Sequence, residues 1–252
     1  MLPNLVVIGA QKCGTSALHY YLGLHPEISM SDPKELNFFI KPDEWRRGLE
    51  WYEGHFTEDA KIRGESSPNY TSFPRNKGVP RRMFKLIPEA KLIYLVRDPL
   101  ERIVSAYIHN LSRRREKRAL TTALAHPRST YLVRSSYQRQ VDAFLDFYPA
   151  ESLLILEQGD LLDRRAETLQ ETFRFLGVDE SFWSPGYERL RHETRNKLRL
   201  RPDVKRRLEA DASVLDEYGH GSLSVIRNMY GLKNDIDRFR VFTGRDFADW
   251  SL

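Results

Sequence analysis

A segment of eight residues near the start of the chain, Gly9–Ser16, has the residue types of a phosphate-binding loop. It reads Gly-Ala-Gln-Lys-Cys-Gly-Thr-Ser, follows the apolar run Leu5–Ile8, and precedes a stretch that predicts the start of a helix. A glycine-bounded loop between a strand and a helix points backbone N–H groups and the positive end of the helix dipole at an anion. These residues therefore favour phosphate binding over an ordinary glycine turn.

The position of the lysine distinguishes this segment from the loop that binds nucleoside triphosphates. In that loop a lysine directly follows the second glycine. Here Thr15 follows Gly14, and Lys12 lies two residues before that glycine. We therefore expect the loop to hold a phosphate differently, and not to bind a Mg-bound triphosphate.

A second segment, Arg97–Tyr107, has groups that suit a phosphate monoester. Arg97 ends the apolar run Lys91–Val96, and Ser105 follows two helical turns later. An arginine fork together with a hydroxyl donor matches a dianionic phosphate. Taken alone, Arg97 and Asp98 could equally form a structural ion pair.

A lysine–glutamate pair, Lys34 and Glu35, precedes two phenylalanines that we expect to anchor the segment in the core. Glu35 could act as a general base held at a fixed depth in a cleft. The alternative is a surface carboxylate paired with Lys34, and a single glutamate favours that alternative. The segment Gly64–Tyr70 has the composition of a polar loop at the end of a strand and is uninformative by itself.

Strands and helices must alternate to position these residues. Near-continuous apolar runs are typical of parallel strands that are covered on both faces. Such an alternation predicts an α/β fold in one domain, residues 1–252, with a central parallel sheet flanked by helices. The predicted strands are Leu5–Ile8, Lys61–Gly64, Lys91–Val96 and Leu153–Leu156.

Helices are predicted between and after these strands from apolar periodicity and from proline and glycine boundaries. Ligands of parallel sheets bind beyond the carboxyl ends of the strands. The loop at 9–16 and the turn at 97–99 should therefore share one edge of the sheet if the first and third predicted strands are neighbours. The predicted helices are Thr15–Leu24, Pro80–Ile87, Pro99 to about Arg115, Tyr137–Phe147, Arg164–Leu176, Asp203–Tyr218 and Ser222–Tyr230.

Taken in chain order, these segments resemble the sulfotransferases that use 3′-phosphoadenosine 5′-phosphosulfate (PAPS). The resemblance is nearest to the heparan sulfate N- and O-sulfotransferases and their bacterial relatives. It extends to Asn196–Arg199, followed by Pro202, which resembles the basic loop that closes over the nucleotide, and to Gly244–Trp250, which resembles a terminal segment of many bacterial members. The resemblance implies a P-loop-like nucleotide-binding fold and sulfuryl transfer from PAPS, with adenosine 3′,5′-bisphosphate as the product and no metal.

The resemblance also implies a role for individual residues. Glu35 would be the catalytic base, Lys12 with the backbone N–H groups of residues 13–16 would stabilise the leaving 5′-phosphate, and His109 would lie near the acceptor. His109 could instead belong to the polar face of its helix, and Cys13 is interpreted as a packing residue and not a nucleophile. The implied nucleotide-binding residues are Gln11, Lys12, Cys13, Gly14, Thr15, Ser16, Arg97, Ser105, Lys197 and Arg199.

Two positions depart from the pattern of the relatives. Ser66 stands where the heparan sulfate enzymes carry a lysine that helps to position the sulfate and the acceptor. Asn37 stands where the 3-O-sulfotransferases have a histidine. One source of positive charge is therefore missing at Ser66, and another residue could compensate for it.

Composition limits the remaining possibilities. The chain has 252 residues, a formal net charge of +5 and a single cysteine, which excludes an internal disulfide and a cysteine-based zinc site. No apolar run approaches the length of a membrane span, and the first residues lack the pattern of a signal peptide, so a cytoplasmic location is expected. The acceptor, a carbohydrate or another small molecule, and the oligomeric state are not encoded in a motif that we can interpret.

Two other functions remain as alternatives. A P-loop kinase or nucleotide hydrolase would need a lysine at position 15 and an aspartate for Mg²⁺. A polyanion-binding module without catalysis could use the basic runs Arg113–Arg118 and Arg189–Arg207. No nucleic-acid partner is expected, because no recognised nucleic-acid motif accompanies these runs.

Overall fold

A parallel sheet organises the first part of the chain. The computed structural model describes residues 1–40, 46–56, 59–126, 128–189 and 223–252. Within them five strands form one sheet in the order β2-β3-β1-β4-β5, and every neighbouring pair is parallel. The strands are β1 Leu5–Gly9, β2 Ile28–Met30, β3 Ile62–Ser66, β4 Lys91–Val96 and β5 Leu153–Glu157.

Strands β1 and β4 form the centre of the core. Every residue of β1 is buried, and so are the last five residues of β4. Val7 lies opposite Ile93 in the ladder that joins them. Their apolar runs are nearly continuous because helices cover both faces of a parallel sheet. The prediction that these two strands are neighbours, within an α/β fold with a parallel sheet, is confirmed.

Helices alternate with the strands, as the sequence predicts. Several helices begin and end within a few residues of their predicted first and last residues. The helices of the described residues are α1 Thr15–Leu22, α2 Leu49–Glu53, α3 Val79–Leu86, α4 Pro99–Ser112, α5 Leu120–Leu124, α6 Thr130–Val133, α7 Tyr137–Leu145, α8 Gln158–Asp163, α9 Arg165–Leu176 and α10 Leu223–Thr243.

Internal contacts divide the chain into two compact units. The first unit comprises Met1–Arg97 and Gln140–Arg191 and contains the whole sheet. The second comprises Asp98–Arg139 and His192–Leu252 and contains α4, α5, α6 and α10. The assignment of residues 1–252 to one domain stays a prediction.

A buried arginine organises the second unit. Arg102 on α4 is fully buried, and its guanidinium donates hydrogen bonds to the Ser135 hydroxyl and the Tyr131 carbonyl. A second contact in this unit is aromatic, since the rings of Phe247 and Trp250 stack with their centroids 4.1 Å apart. Helix α10 joins this cluster through Phe239, whose ring is stacked on Phe247.

The predicted helix Asp203–Tyr218 lies outside the described residues. The predicted helix Ser222–Tyr230 corresponds to the first part of the longer α10. Among the helices that the structure describes, none combines the length and the apolar character needed to cross a membrane.

Candidate active site

The loop between β1 and α1 has two residues in the left-handed region, Lys12 at φ 76° and Gly14 at φ 94°. Gly14 is the N-cap residue of α1, no side chain caps this end, and the first turn contains no acidic residue. The first N–H groups of a helix have no acceptor within the helix. The start of α1 can therefore direct the N–H groups of Thr15 and Ser16 at an anion.

One N–H group of the expected donor set has a partner within the loop. The N–H group of Cys13 donates to the Ala10 carbonyl at 3.2 Å and so closes the turn within the loop. Cys13 itself is fully buried. The backbone donors that suit a phosphate therefore begin at Gly14 and not at Cys13.

The two glycines of the loop are required by packing. A Cβ atom on Gly9 would lie 2.0 Å from Thr71 Oγ1 and 2.9 Å from the Tyr94 ring. A Cβ atom on Gly14 would lie 2.9 Å from Gln158 Nε2, in a backbone conformation that side chains rarely adopt. The loop is therefore pressed against residues that follow β3 and β5, at the carboxyl edge of the sheet.

Arg97 lies at the same edge. The Ala10 N–H donates to the Leu95 carbonyl at 2.7 Å, which ties the loop to the end of β4. The Arg97 guanidinium lies next to the loop, with Nη1 3.5 Å from the Lys12 carbonyl oxygen. The expectation that the loop and the turn after β4 share one edge is confirmed within the first unit.

Ser105 and His109 lie on α4, in the second unit. This helix starts where the sequence predicts, because Asp98 accepts a hydrogen bond from the Glu101 N–H at 2.9 Å and Pro99 occupies the first helical position. The Ser105 hydroxyl is buried and has no hydrogen-bond partner among the described residues. A buried hydroxyl without a partner is a feature of sites that receive a polar ligand. His109 follows four residues later and is half-buried.

The carboxylate of Asp98 does not support the ion-pair alternative for Arg97. One of its oxygens caps α4 through Glu101, and the other accepts a hydrogen bond from the Ser251 N–H. Both oxygens therefore have backbone partners within the second unit.

Glu35 lies on an irregular segment that is attached to the end of β3. Its backbone has φ 69°, and its N–H donates to the Ser66 carbonyl at 3.1 Å. Asn37, at φ 54°, donates from its N–H to Ser67 Oγ at 3.0 Å and from its side chain to the Glu35 carbonyl at 2.8 Å. The segment is thus held in shape by hydrogen bonds to residues 66 and 67.

The two phenylalanines that follow anchor this segment in the core, as predicted. Phe38 and Phe39 are both buried, and the Phe38 ring stacks on Tyr52 with 4.1 Å between centroids. The Phe39 carbonyl accepts hydrogen bonds from the Arg82 guanidinium. This anchoring fixes the depth at which the preceding Glu35 sits.

A buried carboxylate, Glu65, is connected to the Glu35 segment through the Ser67 hydroxyl, which donates to Glu65 and accepts from the Asn37 N–H. Glu65 is fully buried and accepts hydrogen bonds from Tyr52 at 2.6 Å, from Tyr70 at 2.8 Å and from Ser67 at 2.6 Å. Burial raises the pKa of Glu65. The sequence of Gly64–Tyr70 predicts only a polar loop, although a glutamate at the end of a strand followed by serine and tyrosine is a signal for such a cluster.

The side chain of Glu35 is partly exposed and ion-paired. Its Oε1 lies 2.9 Å from Lys34 Nζ, and 45% of the glutamate side chain is accessible. The pairing is the one that the surface-carboxylate alternative expects. It also leaves a carboxylate at the sheet edge that solvent can reach.

His19 lies beside the Glu35 segment and is not among the residues that the sequence predicts for the site. It lies on α1, and its Nδ1 is 2.9 Å from the hydroxyl of Ser66, which is fully buried. Burial, and next the charge of Lys34, lowers the pKa of His19 to about 4. The imidazole is therefore neutral at neutral pH. A lone histidine on a helix gave no signal without knowledge of its partner 47 residues away.

Lys197 and Arg199 lie outside the described residues. Gln11 lies in the loop with Lys12, and both are half-buried. In the ranges that the structure describes, no group of histidine, cysteine, aspartate and glutamate residues is arranged to hold a metal ion.

Comparison with known proteins relates most of the chain to one family. A family model described as "Sulfotransferase domain" matches residues 2–202. The chain is 28% identical over 241 residues to human bifunctional heparan sulfate N-deacetylase/N-sulfotransferase 2, which covers 81% of this chain and 27% of that protein. It is 30% identical over 190 residues to mouse heparan sulfate glucosamine 3-O-sulfotransferase 5, which covers 70% of this chain and 54% of that protein. The chain thus spans about a quarter of the length of the first of these relatives.

Two solved structures share the fold. A sulfotransferase from Alicyclobacillus acidocaldarius has a TM-score of 0.73 and 24% identity, with 100% of each chain covered. A sulfotransferase domain from the curacin biosynthetic pathway has a TM-score of 0.55 and 14% identity, covering 74% of this chain and 77% of that one.

Proposed function

Because this chain belongs to the sulfotransferase domain family, we propose that it transfers a sulfuryl group from PAPS to a hydroxyl or amine of an acceptor. The arrangement that carries the proposal is the sheet edge where three adjacent strands end. There the end of β3 holds the Glu35 segment, β1 continues into the loop, and β4 continues into Arg97.

Two features of the described residues each suit a phosphate group. The start of α1 has neither a side-chain cap nor an acidic residue in its first turn, so it suits an added anion. The buried Ser105 hydroxyl has no partner among the described residues, so it can donate to a second phosphate. We assign the 5′-phosphosulfate to the loop and the 3′-phosphate to Arg97 and Ser105.

The proposed chemistry divides the work between these groups. PAPS supplies the sulfuryl group, whose bond to the 5′-phosphate oxygen breaks as a bond to the acceptor atom forms. Glu35 takes the proton of the acceptor, a contribution of about 10²–10⁴ to the rate. Lys12 and the N–H groups of residues 14–16 stabilise the charge that develops on the leaving phosphate. Contacts to the 3′-phosphate hold the nucleotide in the reactive position.

The acceptor is proposed from the relatives. The names of both curated relatives refer to heparan sulfate, one to N-sulfation and one to 3-O-sulfation. Amines and hydroxyls of amino sugars are therefore the first acceptors to test. His109 is proposed to lie on the acceptor side, as the family pattern implies.

The experiment has two parts. Calorimetry measures binding of adenosine 3′,5′-bisphosphate and of ATP, each with and without Mg²⁺. Sulfur-labelled PAPS is then incubated with the protein and with de-N-sulfated heparin oligosaccharides, simple sugars, phenols and alcohols, and mass spectrometry identifies the labelled products. We expect Mg-independent binding of the bisphosphate and transfer of label to at least one acceptor class.

A matched pair of variants tests the loop assignment. Lys12→Ala should reduce transfer about 10²-fold or more, since one preorganised donor is lost. Lys233→Ala, which removes an exposed lysine paired with Asp237 on α10, should leave transfer unchanged. Tight binding of Mg-ATP in place of the bisphosphate would contradict the proposal. So would salt-dependent polyanion binding that survives Lys12→Ala without any transfer of label.

A further inference from the structure

A hydrogen-bonded pair, His19 and Ser66, joins helix α1 to the end of strand β3. His19 Nδ1 lies 2.9 Å from Ser66 Oγ. Ser66 is fully buried, whereas His19 is half-buried. The proposed chemistry uses neither residue, although both lie next to the groups that it does use.

Ser66 has a second contact, through its main chain. Its carbonyl oxygen accepts a hydrogen bond from the Glu35 N–H at 3.1 Å. A single residue therefore contacts α1 through its side chain and the proposed base through its backbone. His19 lies four residues after Thr15 on the helix whose first turn faces the proposed 5′-phosphate. The pair thus connects the leaving-group end of the site with Glu35.

The backbone of Glu35 depends on such a connection. A non-glycine residue at φ 69° is uncommon and persists only when its surroundings fix it. The side chain of Glu35 is paired with Lys34, the adjacent residue in the chain, and that contact alone does not relate Glu35 to α1. The bond to Ser66, held in turn by His19, provides that relation.

The surroundings of His19 keep its ring neutral. Burial, and next the charge of Lys34, lowers the pKa of His19, against the opposite effects of a hydrogen bond to the backbone of Ser31 and of the charges of Asp32 and Glu35. A neutral imidazole can hydrogen-bond the Ser66 hydroxyl without adding a charge beside Glu35. The pair therefore provides position and not electrostatic attraction.

We infer that His19 and Ser66 are positioning residues, which set the place of Glu35 relative to the N-terminus of α1. This inference rests on the proposed function, in which α1 faces the leaving phosphate and Glu35 takes the acceptor proton. Loss of the pair should displace Glu35 while the backbone donors of the loop remain. Turnover should then fall without an equal loss of nucleotide affinity.

The test is a double-mutant cycle with Ser66→Ala, His19→Leu and the combined variant. Each single substitution should lower kcat about 10- to 100-fold, as expected when a catalytic group is misplaced. The KM for PAPS and the calorimetric Kd for adenosine 3′,5′-bisphosphate should change less than about threefold. The combined variant should lose no more than the worse single variant, because one interaction is removed twice. Thermal denaturation verifies that each variant is folded.

Two further variants supply controls. His19→Asn retains a polar atom near the position of Nδ1 and should recover most of kcat. Ser181→Ala removes an exposed hydroxyl that bonds Asp179 and should leave kcat unchanged. The inference would be overturned if the decreases in kcat of the two single variants multiplied in the combined variant. It would also be overturned if the affinity for adenosine 3′,5′-bisphosphate fell as much as kcat.

Amide hydrogen exchange gives a readout that does not require turnover. In Ser66→Ala and His19→Leu the exchange rate of the Glu35 amide should rise about tenfold or more, while the amides of β1 keep their protection. If the wild-type protein transfers no label and this exchange still rises, the proposed function fails and the positioning role stands. Unchanged exchange at Glu35 in both variants would refute the positioning role whatever the activity.

Discussion

The loop between β1 and α1 and the Glu35 segment lie at the same edge of the sheet, and different forces hold them there. Both contain left-handed residues, Lys12 and Gly14 in the loop and Glu35 and Asn37 in the segment. The loop keeps its shape through glycines that leave no room for a side chain. The Glu35 segment keeps its shape through hydroxyl groups arranged around a buried carboxylate.

This difference separates a locally encoded region from one that depends on distant residues. The loop needs only its own eight residues and close packing against the sheet. The Glu35 segment needs Ser66, Ser67 and, beneath them, Glu65 with its two tyrosines. Substitutions at a distance should therefore disturb Glu35 more than they disturb the loop.

The largest effect should come from removing the carboxylate itself. Glu35→Gln should lower kcat about 10²–10⁴-fold, because the acceptor proton loses its base, and should leave the affinity for adenosine 3′,5′-bisphosphate nearly intact. Label transfer and calorimetry measure the two quantities. Glu151→Gln, at an exposed glutamate beyond α7, is the control. Turnover within tenfold of wild type would show that Glu35 is not the base.

A substitution of Arg97, which lies next to the loop, tests the proposed nucleotide contacts. Arg97→Ala should weaken binding of adenosine 3′,5′-bisphosphate about 10- to 100-fold, since a charge-assisted contact is lost. Arg174→Ala, which removes an exposed arginine paired with Glu180, should leave the Kd unchanged. Equal affinity in calorimetry for Arg97→Ala and wild type would refute the assignment of the 3′-phosphate.

Glycine packing should dominate the stability of the loop. Gly9→Ala places a methyl group 2.0 Å from Thr71 Oγ1 and should reduce the free energy of unfolding by about 3 kcal/mol. The nearest atom to a methyl group on Gly159, in α8, is 3.9 Å away, so Gly159→Ala should be neutral or slightly stabilising. Urea denaturation of both variants measures the contrast, and equal stabilities would mean that the loop is not close-packed.

Removal of the Ser67 hydroxyl should disturb the Glu35 segment and not the loop. Ser67→Ala leaves one Glu65 oxygen without its donor and the Asn37 N–H without its acceptor, which should cost about 2 kcal/mol. The same variant should lower kcat and leave the bisphosphate Kd unchanged, because the loop does not depend on Ser67. A change of Kd as large as the change of kcat would mean that the two regions are not separate.

The smallest effect concerns pH. The pKa of His19 lies at about 4 in the folded protein, below its unfolded value of about 6.5. The folded state therefore binds fewer protons, and the stabilisation is complete above about pH 6.5 and is lost as the pH falls towards 4. The wild-type free energy of unfolding should therefore fall more steeply than that of His19→Asn between about pH 7 and pH 4. Curves of unfolding free energy against pH that run parallel for the two proteins would contradict the lowered pKa of His19.

Sequence patterns predicted the parts of the fold whose information is local. The apolar runs of β1 and β4 are long enough to predict buried strands, and Asp98–Pro99 marks the start of α4. The glycine spacing of the loop predicts a phosphate site, because only its own backbone is needed. The order of the motifs along the chain predicts the family that the comparisons confirm.

Other parts could not be predicted because their stability comes from partners far along the chain. Strand β2 has three residues, too few for a periodic pattern. Strand β3 continues through Glu65 and Ser66, which look like loop residues until their partners are known. The short helices α2, α5 and α6 have four or five residues each and depend on tertiary packing.

The two backbone partners of Asp98 differ in their consequence for α4. One carboxylate holds both the first turn of α4 and the amide of Ser251, close beside the stacked pair Phe247 and Trp250. Loss of the Ser251 amide would leave one oxygen of Asp98 without its partner, while the other oxygen would still cap the helix that carries Ser105 and His109.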